Sequence, residues 1–204
     1  MKRSVVVLST LLLGVLLLPA PGGSQLRLIP HVGLYAPVTD LGTVNTAEGI
    51  RDVGERESSL AYGISLELGE GGFWAIRATG LYGSDAEVPV DGVGCNEETC
   101  SLRSTVLGLA GSLVLRPLPS TLLIRPYALA GAGMKRYDFD FRFASPLEDL
   151  LNQERQVTGL LGLGVEWDIG LLAGTVELSD YVSGDVLKDG ETQHDFFLTM
   201  GIIL

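Results

Sequence analysis

Scarcity marks this chain, and each scarcity excludes something. There are two cysteines, Cys95 and Cys100, and two histidines, His31 and His194. Two thiols with no histidine between them are too few ligands for a metal, and no loop matches an EF-hand or a nonapeptide calcium repeat. Neither a metal nor another cofactor is therefore expected. Basic residues are few, 14 Lys and Arg against 25 Asp and Glu. Nucleic-acid binding needs a basic surface, so that class of partner is not expected. Long apolar runs are missing beyond the N-terminus. The longest candidate, 102–115, is interrupted by Arg103, Ser104, Thr105, Gly108, Gly111 and Ser112. A membrane-spanning helix requires roughly 20 consecutive apolar residues.

The longest stretch without a charged residue, and the most apolar one, is at the start. Lys2 and Arg3 precede apolar residues 5–18, and Pro19, Ala20, Pro21, Gly22, Gly23 and Ser24 follow. That order is a secretory signal, and the run is too short to span a bilayer as a helix. Residues 1–24 are expected to be cleaved, leaving one domain at 25–204. No Cys lies near the cleavage zone, which argues against a lipoprotein. In an exported chain, two cysteines in one loop most simply form a disulfide, here Cys95 to Cys100. Such a short loop contributes at most about 2–3 kcal/mol.

What remains is apolar without helix-length runs, with a mean hydropathy of +0.32 and 27 glycines. A barrel wall has this composition, because lumen-facing residues alternate with lipid-facing ones. The final strand shows it plainly. Phe196, Leu198, Met200, Ile202 and Leu204 share one face, and Thr199 and Gly201 lie on the other. An apolar strand running to the chain end suits a barrel that must close its first strand on its last.

Alternating segments are predicted near 25–38, 58–69, 72–84, 102–116, 121–137, 156–168, 171–182 and 193–204. Turns rich in Gly, Pro and Asp at 69–72, 117–120 and 168–171 alternate with longer polar segments at 39–57, 85–101, 138–155 and 183–192. The fold expected is all-β: an eight-stranded antiparallel up-and-down transmembrane barrel with both termini in the periplasm. Aromatic side chains at both membrane interfaces would suit it, with Trp74 and Trp167 near the periplasmic turns. Tyr35, Tyr62, Tyr82, Tyr137 and Tyr181 fall at the opposite ends. A soluble eight-stranded carrier would need the reverse, a polar outer face and an apolar lumen.

Without Lys2 and Arg3 the chain has 12 bases against 25 acids, net −13. The four long loops carry −3, −5, −3 and −2, so the acidity belongs to them and the remaining chain is neutral. Within the strands, Glu67, Arg77, Arg116, Glu166 and Glu177 are predicted to face the lumen, with His31, Ser65, Thr79 and Thr175 nearby. Charges leave water only when paired, so these should form a salt-bridge network filling a narrow bore. A Ser-His-Asp set can be written from Ser183, His194 and Asp195. No N-terminal amphipathic helix of the kind found in lipid-A acyltransferases accompanies it, and no enzymatic activity is expected.

Three segments carry a resemblance: Pro30-His31-Val32-Gly33-Leu34-Tyr35-Ala36-Pro37, Arg125-Pro126-Tyr127-Ala128-Leu129-Ala130-Gly131-Ala132-Gly133, and Val176-Glu177-Leu178-Ser179-Asp180-Tyr181. With the closing strand they resemble the OmpA-like and OmpW-like eight-stranded outer-membrane barrels, although the chain ends on Leu204 where that family usually has an aromatic. The resemblance implies a bacterial outer-membrane address and an interior packed with charged pairs. It also implies lipids and lipopolysaccharide as surroundings and the barrel assembly machinery as a partner in insertion. The expected role is structural, in envelope integrity, for a monomer with a mostly closed lumen. An OmpW-like or porin-like channel for small, even apolar, solutes is the alternative, and loop-mediated adhesion the third.

Overall fold

The computed structural model describes 25–39, 42–46, 49–53, 57–69, 72–91, 99–119, 121–140, 155–169, 172–184 and 192–204. The signal segment at 1–24 and Cys95 lie outside these residues, so neither the cleavage nor the disulfide is addressed by the fold. Ten strands are present: β1 (Gln25–Pro37), β2 (Gly42–Thr46), β3 (Gly49–Val53), β4 (Ser59–Gly69), β5 (Trp74–Asp91), β6 (Thr99–Leu115), β7 (Ile124–Asp140), β8 (Gln156–Ile169), β9 (Leu172–Ser183) and β10 (Gln193–Ile202). Eight of them close a ring in the order β1, β4, β5, β6, β7, β8, β9, β10, every pair antiparallel. Among the described residues no helix is long and apolar enough to cross a membrane.

Closure is made by β1 against β10, from His31 opposite Gly201 to Pro37 opposite Asp195. Reciprocal bonds between Leu28 and Leu204, at 3.1 and 2.9 Å, extend the seam to the last residue. Following hydrogen-bonded partners around the wall from Tyr35 leads through Phe197, Ser179, Gly162, Leu129, Val114, Ala75 and Gly69 to Gln25. One circuit thus moves from position 35 to position 25 of the same strand, a stagger of ten residues. Such a stagger tilts the strands by roughly 40° and leaves a bore that side chains can fill.

Alternation sorts the wall into two faces. Val32, Leu34, Leu60, Ile64, Ile76, Leu107, Leu113, Leu161, Leu163, Leu178, Leu198 and Met200 are all exposed on the outside. Water would not tolerate that apolar band, whereas lipid does. The buried set inside is largely polar or charged, the inverse of a water-soluble barrel.

Strand is also present where polar loops were predicted. β5 runs on to Asp91, β6 begins at Thr99 and β7 reaches Asp140, while β2 and β3 form a hairpin within the first loop. Gly83 pairs with Val106 and Ala86 with Ser104, so β5 carries one extra residue between them. That bulge re-aims the ribbon, and main-chain pairing continues although the apolar alternation has ended. Val53 opposite Val90 ties the β2–β3 hairpin to the extension.

Candidate functional site: two buried charge clusters in the lumen

The lower cluster is assembled from seven of the eight wall strands. Glu67 on β4 and Arg77 on β5 are register partners, and both face inward because each lies an even count from other lumen residues of its strand. Arg77, 0% exposed, donates from Nε and Nη2 to Glu67 Oε2 at 3.1 and 2.8 Å and from Nη1 to Glu177 Oε2 at 2.5 Å. Arg116 comes from just beyond the end of β6. Its Nη2 donates to Glu67 Oε1 at 2.7 Å, and its Nε lies 3.1 Å from both oxygens of Glu166. All five side chains predicted for the lumen are therefore buried there and joined to one another.

Neighbours complete the cluster. Arg125 Nη2 donates to Glu166 Oε2 at 3.0 Å, and Arg27 Nη1 stands 3.7 Å from both Glu67 and Glu166. The Tyr127 hydroxyl donates to Glu177 Oε2 at 2.7 Å, while Arg77 lies 5.1 Å from the centre of its ring. This ring crosses β8 at Gly164, where a Cβ would collide with it; glycine is needed there for the close approach. Four arginines thus face three glutamates. Above them, His31 Nε2, Ser65 Oγ and Thr79 Oγ1 form a chain of two 2.8 Å hydrogen bonds.

The upper cluster centres on Asp195, 0% exposed. Its Oδ2 accepts from Lys135 Nζ at 2.5 Å and from the Tyr137 hydroxyl; Oδ1 accepts from the Tyr35 hydroxyl at 2.7 Å. Lys135 also donates to the Tyr181 carbonyl at 3.1 Å. Phe197 packs between Tyr35 and Tyr181, with ring centres 5.0 and 5.3 Å away. The Tyr35 ring rests on Gly83, where an added Cβ would stand 2.9 Å from it.

This arrangement corrects one expectation. Tyr35, Tyr137 and Tyr181 are not interface aromatics: all three are buried in the lumen. Tyr35 shares the parity of His31 and Gly33, and Tyr137 that of Lys135 and Tyr127, so the period of two turns them inward. Tyr62, Tyr82 and Trp74 do face outward and are exposed, and Trp167 lies outside across Gly174. Position along the strand suits an interface, but the face decides where each ring lies. The same parity places Arg125, Lys135 and Asp195 in the lumen as well, beyond the five charges expected there.

The Ser-His-Asp set does not assemble. His194 and Asp195 are consecutive, so they point to opposite faces. His194 Nδ1 pairs outside with Asp180 Oδ2 at 2.7 Å, and Asp195 belongs to the upper cluster. The Ser183 hydroxyl donates to Gln156 Oε1 at 2.8 Å. Histidine 31 lies opposite Gly201 and His194 opposite Val182, at separate heights of the wall. Among the described residues no group of three metal-ligating side chains occurs.

A closed, eight-stranded, all-antiparallel ring with a lipid-facing exterior and a charged core leaves one architecture. The chain has the fold of an outer-membrane β-barrel. Solved structures share it: OprG from Pseudomonas aeruginosa superposes with a TM-score of 0.57 at 13% identity, covering 90% of this chain and 98% of that one. Neisserial surface protein A gives 0.57 at 11%, covering 89% and 98%. Ail of Yersinia pestis, solved with the heparin analogue sucrose octasulfate, gives 0.50 at 12%, covering 88% and 99%. No family model matches the chain, and no curated protein matches its sequence. The barrel is thus recognisable by its shape and wall chemistry at identities too low to carry residue roles across.

Proposed function

We propose that this protein is a structural barrel of the bacterial outer membrane whose lumen is closed to solutes. The observation that carries the reading is the pair of stacked charge clusters, with Arg77 and Asp195 fully buried at their centres. A conducting pore keeps water between its charges, whereas these charges touch one another. The OmpW-like alternative needs an apolar lumen and a gap in the wall. Neither suits a charged interior and a wall whose strands pair around the full circuit among the described residues. The role is one of envelope integrity, exercised as a monomer among outer-membrane lipids and lipopolysaccharide after insertion by the barrel assembly machinery.

The strand extensions favour adhesion as a second role. β5, β6 and the attached β2–β3 hairpin supply an ordered platform beyond the wall. Ail was solved with a polyanion; here the loops hold the whole net −13, so the suited partner would be cationic. The test is planar-bilayer recording with the refolded 25–204 chain. No stepwise current is expected. Stable unitary conductance from the unaltered chain would overturn the closed-barrel reading in favour of a channel.

A further inference from the structure

At the loop end of β7 and β8 the outer wall sets two like charges side by side. Lys135 on β7 is the register partner of Gln156 on β8, so Arg136 and Arg155, one residue farther, stand opposite each other. Both are exposed, and both have the outward parity of Met134 and Val157. Like charges directly across a strand pair repel. Arg136 has Asp138 at 3.9 Å, with both side chains more than half exposed, and so long and wet an ion pair neutralises little. Arg155 forms no ion pair among the described residues. Arg103, farther up β6, differs from both, because its register partner on β5 is Glu87.

The height of this pair is set by what lies beneath it. Below Arg136 the outward face of β7 reads Met134, Ala132, Ala130, Ala128, Pro126 and Ile124, with no charge. From Ile124 to Met134 is about 33 Å of strand, which spans about 25 Å at a tilt of roughly 40°, the height of a lipid-facing band. The arginines therefore begin where the hydrocarbon ends. Directly below them Met134 and Val157 are register partners, 49% and 78% exposed. The hydrogen-bonded row through Arg136 continues as Leu107, Tyr82 and Tyr62. The stagger of the ring raises this row from β4 towards β8, so the arginines stand above the two exposed tyrosines, among the headgroups of the outer leaflet.

We infer that Arg136 and Arg155 together bind the phosphate of one outer-leaflet lipid whose acyl chains lie over Met134 and Val157. Each guanidinium presents a fork of N–H donors to phosphate oxygens, and the shared anion removes the repulsion that the strand pairing imposes. A phosphate monoester carries the charge to satisfy both arginines. A zwitterionic headgroup does not, because its own ammonium competes for the phosphate. The apolar pair beneath selects a lipid over free phosphate, which gains nothing from Met134 and Val157. This site depends on the barrel lying in the outer membrane but not on a closed lumen, so unitary conductance and lipid retention fail independently.

The test uses the whole 25–204 chain, refolded in neutral detergent and titrated with dimyristoyl phosphatidic acid or dimyristoyl phosphatidylcholine. Lipid bound per protein is counted by native mass spectrometry. One phosphatidic acid molecule is expected to bind first, with phosphatidylcholine retained far less. Arg136→Gln and Arg155→Gln should each weaken that retention about fivefold, the worth of one basic residue beside a charged lipid, and together about twenty-five-fold. Asp138→Asn should strengthen it about twofold by releasing Arg136. Arg103→Gln should leave it unchanged. Heat-modified gel migration reports whether each variant is folded. Millimolar inorganic phosphate should not displace the lipid; displacement would reveal a free-anion site and overturn the lipid assignment. Equal retention of the two lipids by the unaltered chain, or no retention of either, overturns the proposal even if every variant misfolds. Undiminished retention by the folded double variant would overturn it as well.

Discussion

Arg77 shows how much one residue can hold in a narrow barrel. It is the donor common to Glu67 and Glu177; without it Glu67 keeps Arg116, but Glu177 is left with the neutral Tyr127 hydroxyl. Arg77→Ala should cost about 3–5 kcal/mol, the usual penalty for leaving a buried charge unpaired. The urea midpoint for unfolding from lipid vesicles should fall accordingly, and an unchanged midpoint would mean that lumen water already solvates the pair. The upper cluster permits a sharper comparison. Asp195→Leu and Lys135→Met should each destabilise by a similar amount alone. Combined, they should cost less than the sum of the two, because two apolar side chains leave no charge unpaired, the remaining loss being the bonds that the Tyr35 and Tyr137 hydroxyls donate to Asp195. Additive losses in the double variant would show that Tyr35 and Tyr137, and not the ion pair, dominate the energetics of Asp195.

At the level of the element, each wall strand must satisfy two solvents at once. β8 presents Leu161 and Leu163 to lipid and Glu166 to the lumen, so a slip of one residue would exchange them. Leu163, 67% exposed on the outer face, offers the direct check. Leu163→Arg should cost about 2–4 kcal/mol if it lies near the bilayer midplane, measured by equilibrium folding into vesicles. A negligible cost would place β8 outside the hydrocarbon. β5 and β6 add a second lesson. Their pairing persists past the bulge above Gly83, because main-chain hydrogen bonds extend a ribbon without any apolar face to bury.

The whole molecule is organised by its closure. Four long connections lie at one end and three short turns at the other, so cysteines placed within 39–57, 85–101, 138–155 and 183–192 should all react with an impermeant label on intact cells. Cysteines within 69–72, 117–120 and 168–171 should not. A single turn labelled together with the loops would refute the orientation. The ring also explains why the interior is polar. The outer wall takes the apolar residues, and the ten-residue stagger brings side chains from strands distant in sequence to one height, where charges can pair.

Period-two alternation, turn chemistry and the apolar last strand were enough to read eight wall strands and their two faces directly from the chain. The reason is that lipid outside and side chains inside impose opposite polarities on successive residues. Membership of the lower network was legible for the same reason: Glu67, Arg77, Arg116, Glu166 and Glu177 are charges on the inner parity. Pairing was not. That Arg116 meets Glu67 and Glu166, or that Lys135 meets Asp195 sixty positions away, depends on the stagger of the closed ring, which no single strand encodes. The tyrosines make the same point. Height along a strand suggested a membrane interface for Tyr35, Tyr137 and Tyr181, but the face decides, and buried phenols beside Asp195 are stable only once the barrel has brought β1, β7 and β10 together.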